Sequence, residues 1–279
     1  MKHLTKISRT FFLLVLATFF ITSCSNEDSE ALETNQDTTE LAKVAEIDNI
    51  DSAIGDIIID VYETEESSSA NRTMQPPSLP SCVTVTVVAQ QNFREITIDF
   101  DPNGCLINGR TYSGQLVATY TRDPQAQQIL INYTTNNFFV NNINLIGNRT
   151  ILRELSNTNG NPQFTHTLNL TIIWPNGQQA SRTGTKVREW IQGFGSGVWN
   201  DNVFSITGNW NTNFVNGNSH SYTVNSALIR EVTCPHFVSG SVDVQRTNFG
   251  GNLDFGNGTC DNVALFTFNN GTTTTITLN

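Results

Sequence analysis

The residues of this 279-residue chain whose types and spacing suit chemistry are aspartates beside Asn-Gly pairs, one serine in a glycine run, a few histidines and four tryptophans. Asp99-Phe100-Asp101-Pro102-Asn103-Gly104 matches the opening of a calcium loop, in which alternate side-chain oxygens and a sharp glycine turn wrap one ion. The twelfth position of such a loop should be a bidentate Glu and here is Arg110, a cation where a carboxylate belongs. A second copy around Leu253-Asp254-Phe255 keeps only Asp254 of those ligands. Asp and Asn ahead of Gly also close β-turns through their own backbone, which accounts for both segments, so neither a metal nor a cofactor is expected.

Gly193-Phe194-Gly195-Ser196-Gly197 misses the Gly-x-Ser-x-Gly nucleophile elbow by one residue and lies in a glycine-rich loop instead of a strand-to-helix turn. His166, His220 and His236 have no His partner four residues away and no helical Glu beside them, which removes the metalloprotease pattern. Asp99, Asp101, Asp254 and Asp261 gather near turns and cysteines, where backbone hydrogen bonding explains them. No catalytic residue is assigned. Among Trp174, Trp190, Trp199 and Trp210, alternation places Trp190 inward, while Trp199, beside Gly197 and Asn200-Asp201, is the ring expected in solvent. Aromatic faces stack on apolar ring surfaces, so Trp199 and Trp210 are the candidate ligand-binding residues, with a glycan or an envelope protein as the partner.

These residues must be positioned by strands. Val83-Thr-Val-Thr-Val87, Glu95-Ile-Thr-Ile98, Thr167-Leu-Asn-Leu-Thr-Ile172 and Thr274-Thr-Ile-Thr-Leu278 place apolar residues at every second position, the pattern of strands with one buried face. Asn-Gly pairs at 103, 108, 159, 176, 216, 257 and 270 favour type I′ hairpins. Residues 82–279 therefore read as one all-β domain, a large antiparallel meander of about a dozen strands. Its sheet should be strongly curved or partly closed, as a barrel or sandwich, because long flat sheets leave vulnerable edges.

Ahead of that domain, Leu41, Val44, Ile47, Ile50, Ile54, Ile57, Ile58 and Val61 recur at helical spacing, predicting one short amphipathic helix over about 39–61. Its opposite face is acidic, and Gly55 should weaken it by about 1 kcal/mol. Residues 27–66 hold fourteen acids and one base, Lys43, whereas residues 67–279 hold eleven of each. On this arithmetic the charge belongs to a tether, residues 24–81, that ends in the Ser- and Pro-rich stretch Ser67–Pro80. Lys186 is the domain's only lysine, and without a basic stripe nucleic acid is not an expected partner. With 14% charged and 38% apolar residues overall, the chain is neither a disordered acidic protein nor a polytopic membrane protein.

The N-terminus carries Lys2, Lys6 and Arg9, an apolar run from Phe11 to Ile21, then Thr22-Ser23-Cys24. The run is too short to span a bilayer and suits a signal peptide over 1–23. The order resembles the lipobox of bacterial lipoproteins, which implies lipidation of Cys24 and anchoring to the outer membrane through several acyl chains. Ser25-Asn-Glu-Asp-Ser-Glu30 is similar to the surface-export stretch of Bacteroidetes lipoproteins, which implies a position on the cell surface. The remaining cysteines, Cys82, Cys105, Cys234 and Cys260, form an even set in an exported chain and suggest two disulfides. Three connectivities are open. The similar text before Cys105 and Cys260 favours near-neighbour pairing, Cys82 with Cys105 and Cys234 with Cys260, each stapling a hairpin.

Ile98-Asp-Phe through Cys105, Gly109-Arg-Thr-Tyr-Ser-Gly114, Phe204-Ser-Ile-Thr-Gly208 and above all Leu253-Asp-Phe-Gly-Asn-Gly-Thr-Cys-Asp-Asn262 resemble a group of uncharacterised Bacteroidetes lipoproteins. That resemblance implies a compartment and an architecture but no site residues. The expectation is a lipid-anchored binding or structural protein of the envelope, serving in adhesion, glycan capture or as an accessory subunit. The rival expectation is a glycan-acting hydrolase that uses Asp or Glu carboxylates.

Overall fold

The computed structural model describes residues 27–67, 76–246 and 249–278, with helix side chains from Thr38 onward. The expected signal peptide over 1–23 and Cys24 lie outside the described residues. One helix, α1 (Glu27–Ser67), precedes β1 (Val83–Ala89), β2 (Phe93–Ile107), β3 (Arg110–Thr121), β4 (Gln128–Val140), β5 (Ile143–Glu154), β6 (Gln163–Ile173) and β7 (Gln179–Gln192). There follow a 3-10 turn at Trp199–Asp201, then β8 (Val203–Phe214), β9 (Ser219–Glu231), β10 (Ser239–Arg246), β11 (Gly250–Asn257), β12 (Val263–Phe268) and β13 (Thr273–Thr277). The strands pair antiparallel in sequence order from β1 to β13, so the sheet is an unbroken, unclosed meander. The chain divides between Leu41 and Ala42, and the unit from Ala42 onward is the one described below.

Alternation sets the faces of the strands. In β6, Phe164, His166, Leu168, Leu170 and Ile172 are buried, while Thr165, Thr167, Asn169 and Thr171 face outward. Gly184 in β7 and Gly208 in β8 have φ of 146° and 130°. A Cβ on Gly184 would lie 2.5 Å from Trp210 Cα and one on Gly208 2.2 Å from the Thr185 carbonyl. Such glycine kinks let neighbouring strands close up and the sheet bend.

The Asn-Gly pairs do two jobs. Asn108-Gly109 has positive φ at both residues, 46° and 78°, and forms the two-residue I′ hairpin between β2 and β3. Trp174-Pro-Asn-Gly-Gln178, Phe214-Val-Asn-Gly-Asn218 and Phe268-Asn-Asn-Gly-Thr272 instead share a longer loop. In each, the aromatic residue's carbonyl accepts the glycine N–H (2.9, 3.1 and 2.8 Å). The asparagine Oδ1 accepts the N–H two residues on (3.1, 3.0 and 2.9 Å), and only the glycine has positive φ. The expected I′ geometry is corrected at these three pairs: the extra loop residue makes the asparagine a side-chain acceptor. Asn141-Asn142, with φ of 49° and 64°, supplies a glycine-free I′ hairpin.

Asn103-Gly104 closes no hairpin. It sits in a bulge within β2, where the register steps from Phe100 opposite Gly114 to Cys105 opposite Tyr112. Both disulfides pair as expected, Cys82–Cys105 and Cys234–Cys260. The first ties the approach to β1 across to that bulge, while the second joins the β9–β10 connection to the β11–β12 connection and not the two arms of one hairpin.

The tether is where the structure departs most from expectation. Every residue of α1 from Val44 to Tyr62 is buried, the acidic face with the apolar one. The helix runs along the inside of the curled sheet, so the folded unit starts near Ala42 and not at residue 82. The helix is also longer than the short one predicted. The acidic face is buried because the inward face of the sheet carries the matching cations.

Candidate functional site

Three aspartates of α1 each meet cations from the strands. Asp48 accepts from Arg182 and from Lys186 Nζ (2.8 Å), and Asp51 from Arg149 and from Lys186 Nζ (3.2 Å). Asp56 accepts from Arg188 and from Arg230 Nε (2.9 Å). Burial works to raise Asp51, yet Lys186, Arg149 and Arg182 outweigh it and hold its carboxyl well below the usual range. At the helix C-terminus, where carboxylates oppose the dipole, Glu63, Glu65 and Glu66 are offset by Arg153 (3.5 Å), Arg94 (3.1 Å) and Arg122 (3.2 Å). Arg188 also donates to the Ser52 carbonyl at 2.9 Å, in space left by the missing side chain of Gly55. Burial and the nearby Arg188 push His166 down to about 3, so it stays neutral and makes a poor general base. These buried ion pairs fix the helix in the sheet, while Arg149 Nε and Nη2, Arg182 Nε and Nη1 and Arg188 Nε have no hydrogen-bond partner among the described residues.

An open site lies at the C-terminal end of the helix. A cleft of about 590 Å³ is lined by Trp190, Phe194 and Trp199, by Asp60 and Glu63 of α1, and by Ser78. Trp190 is the floor of the aromatic group, 5% exposed, with its indole N–H bonded to Asn202 Oδ1 at 2.9 Å. Phe194 and Trp199 stand edge-on to it, at centroid distances of 5.0 and 5.8 Å and interplanar angles of 67° and 78°. The glycine run carries these rings: a Cβ on Gly193 would lie 2.2 Å from Asn202 Oδ1, so only glycine lets the loop pass there. Ser196 donates to Asp201 Oδ1 at 3.0 Å and accepts from the Val198 N–H at 3.0 Å, which ties the loop down.

Opposing the aromatic group in chemistry are two acids one helical turn apart. Burial pushes Asp60 up to about 6, against hydrogen bonds from Ser78 and Thr64, with Asp56 adding to the rise. Burial also raises Glu63, with Arg153 acting against it. A second cavity of about 50 Å³ shares Asp60, Ser78 and Trp199 with the cleft and reaches Asp56 and Arg230.

Of the two candidate tryptophans, Trp199 is half-buried in the cleft. Trp210 is not available as a platform: it is 1% exposed, stacked on Tyr222 at 5.7 Å and covered by Lys186 at 4.6 Å. Its position on the inward face of β8 decides this, since inward rings of this sheet meet the helix side. Trp174 is likewise buried, against Phe214. Asp99 accepts from its cross-strand neighbour Gln115 Nε2 at 2.6 Å, and Asp101 Oδ1 from the backbone and side chain of Asn103 (2.8 and 2.9 Å), which closes the bulge. Asp254 and Asp261 likewise accept backbone N–H groups two residues on. Among the described residues, no group of three or more His, Cys, Asp or Glu side chains is placed to hold a metal ion. No described helix is long and apolar enough to cross a membrane.

Asp60, Glu63 and Phe194 were not singled out from the sequence. Both acids belong to the charge that the sequence assigns to the tether, with Glu63 beyond the predicted helix, and Phe194 lies in a glycine run whose serine alone suggests chemistry. Comparison with protein-family models, with curated proteins and with solved structures gives no match to this chain, so function has to be read from the site itself.

Proposed function

We propose that this chain is a lipid-anchored, outward-facing lipoprotein of the outer membrane that captures a glycan, without catalysis, in the cleft beside Trp199. On this reading it belongs with the Bacteroidetes lipoproteins that its C-terminal segment resembles. The half-buried Trp199 ring and the exposed Phe194, both packed on Trp190 and lining the cleft, carry the proposal. Together they offer a sugar an apolar face to stack on, within reach of amide, hydroxyl and carboxylate side chains. The order of basic residues, apolar run and Cys24 supports the anchor.

One observation favours a glycan hydrolase: Asp60, raised to about 6, has the character of a general acid. Against this, both carboxylates of the cleft hang from one turn of α1, and hydrolysis needs two that flank the scissile bond. Binding therefore fits the geometry better than turnover.

The exported protein, purified in detergent, should bind oligosaccharides with a change in tryptophan fluorescence and release no reducing ends. Trp199→Ala should weaken binding by roughly tenfold, equivalent to about 1.4 kcal/mol. Mass analysis of the same preparation should find acyl chains on Cys24. Unchanged affinity in the variant would move the site elsewhere, and steady release of reducing sugar would favour the hydrolase.

A further inference from the structure

The buried aspartates of α1 are not all treated alike. Asp48, Asp51 and Asp56 each meet at least two strand cations. Asp60 is as buried, at 5% exposure, yet among the described residues no Lys or Arg pairs with it, and its hydrogen bonds come from neutral hydroxyls. Asp60 is also the buried aspartate that lines the large cleft. Glu63, one turn on, has its cation at 3.5 Å with Oε1 still lacking a hydrogen-bond donor. Among the described residues these two are the only ionisable side chains of the cleft wall, and both are acids.

A buried carboxylate without a cation is costly, and the usual remedy is a positive partner. The aromatic side of the cleft favours the same sign of charge, because the face of an indole or phenyl ring attracts an ammonium group. We infer that the cleft selects a saccharide bearing a free ammonium group, its ring against Trp199 and its ammonium between the aromatic rings and the carboxylates of Asp60 and Glu63. This rests on the glycan reading above and names the class of sugar.

The test compares two ligands that differ only in charge, an oligomer of glucosamine and the same oligomer of N-acetylglucosamine. Each is titrated against the full exported chain at neutral pH and followed by calorimetry and tryptophan fluorescence. The free amine should bind at least about tenfold tighter. Added salt should weaken that ligand and leave the acetylated one unchanged. Asp60→Asn should bring the two affinities together while Trp199→Ala weakens both. Should Asp60→Asn fail to fold, the wild-type comparison and its salt dependence decide alone. Equal or tighter binding of the acetylated oligomer overturns the ammonium assignment and leaves glycan capture standing. If neither oligomer nor a panel of neutral and acidic glycans binds, glycan capture fails and the ammonium assignment falls with it.

Discussion

Gly55 looks like a weakness in the helix when judged by propensity, since alanine is favoured at an exposed helical position by about 1 kcal/mol. Here a Cβ would lie 2.5 Å from Arg188 Nη1 and 3.1 Å from His166 Cε1. The guanidinium has little freedom to retreat, being bonded to Asp56 and to the Ser52 carbonyl. Overpacking of this kind costs about 1–3 kcal/mol, more than propensity returns. Gly55→Ala should therefore lower stability by up to about 2 kcal/mol in urea denaturation, and a rise in the midpoint would mean that Arg188 does not press on the helix. His166 permits a second measurement at this scale. Its folded value of about 3 lies below the ordinary 6.5, so between those pH values the unfolded chain binds a proton that the folded chain refuses, and stability drops as pH falls. Asp60 has the opposite sign, adding stability as pH falls from about 6 toward 3.8. The difference between wild type and His166→Gln isolates the histidine. The variant should gain on wild type steadily from pH 6.5 downward in urea midpoints, and parallel curves would show that His166 is not held neutral.

At the scale of elements, the apolar stripe of α1 and the alternation of the strands were legible because each follows from a single period. The surroundings of the helix's acids were not, because a binary pattern assigns every charge to water. A signal was nonetheless present. Parity along β7 puts Arg182, Lys186 and Arg188 on the same face as Trp190, already read as inward. Four even-numbered positions thus mix three cations with a buried ring, which makes sense only if acids come from elsewhere. The surplus of acids at 27–66 beside the abundant arginines of the strands was the other half of that pairing. The near-neighbour pairing was legible from the repeated text before Cys105 and Cys260, although that text falls in a strand in one case and in a connection in the other. Trp199 could be picked out because glycine and Asn-Asp flank it, whereas the acids that complete its cleft come from a helix more than a hundred residues away.

At the scale of the molecule, α1 is the inner layer of the fold and the sheet is built to receive it. A fragment that begins at Cys82 would keep Arg149, Arg182, Lys186, Arg188 and Arg230 on its concave face and lose Asp48, Asp51 and Asp56, their carboxylate partners. Leaving a buried charge uncompensated costs about 3–5 kcal/mol, while a whole domain is stable by only about 5–15 kcal/mol. Two such losses would consume most of that margin, and the apolar stripe that covers the interior would be missing as well. Residues 82–279 produced alone should lack near-UV circular dichroism and a cooperative thermal transition, whereas residues 42–279 should show both. A cooperative transition in the shorter fragment would mean that the sheet relaxes to hydrate its own cations and that the helix is an accessory to the fold. The expected outcome carries a consequence for the cleft, because Asp60 and Glu63 are delivered by the same helix that completes the core. Binding competence should then appear only with the folded unit, and the two should be lost together at one denaturant midpoint.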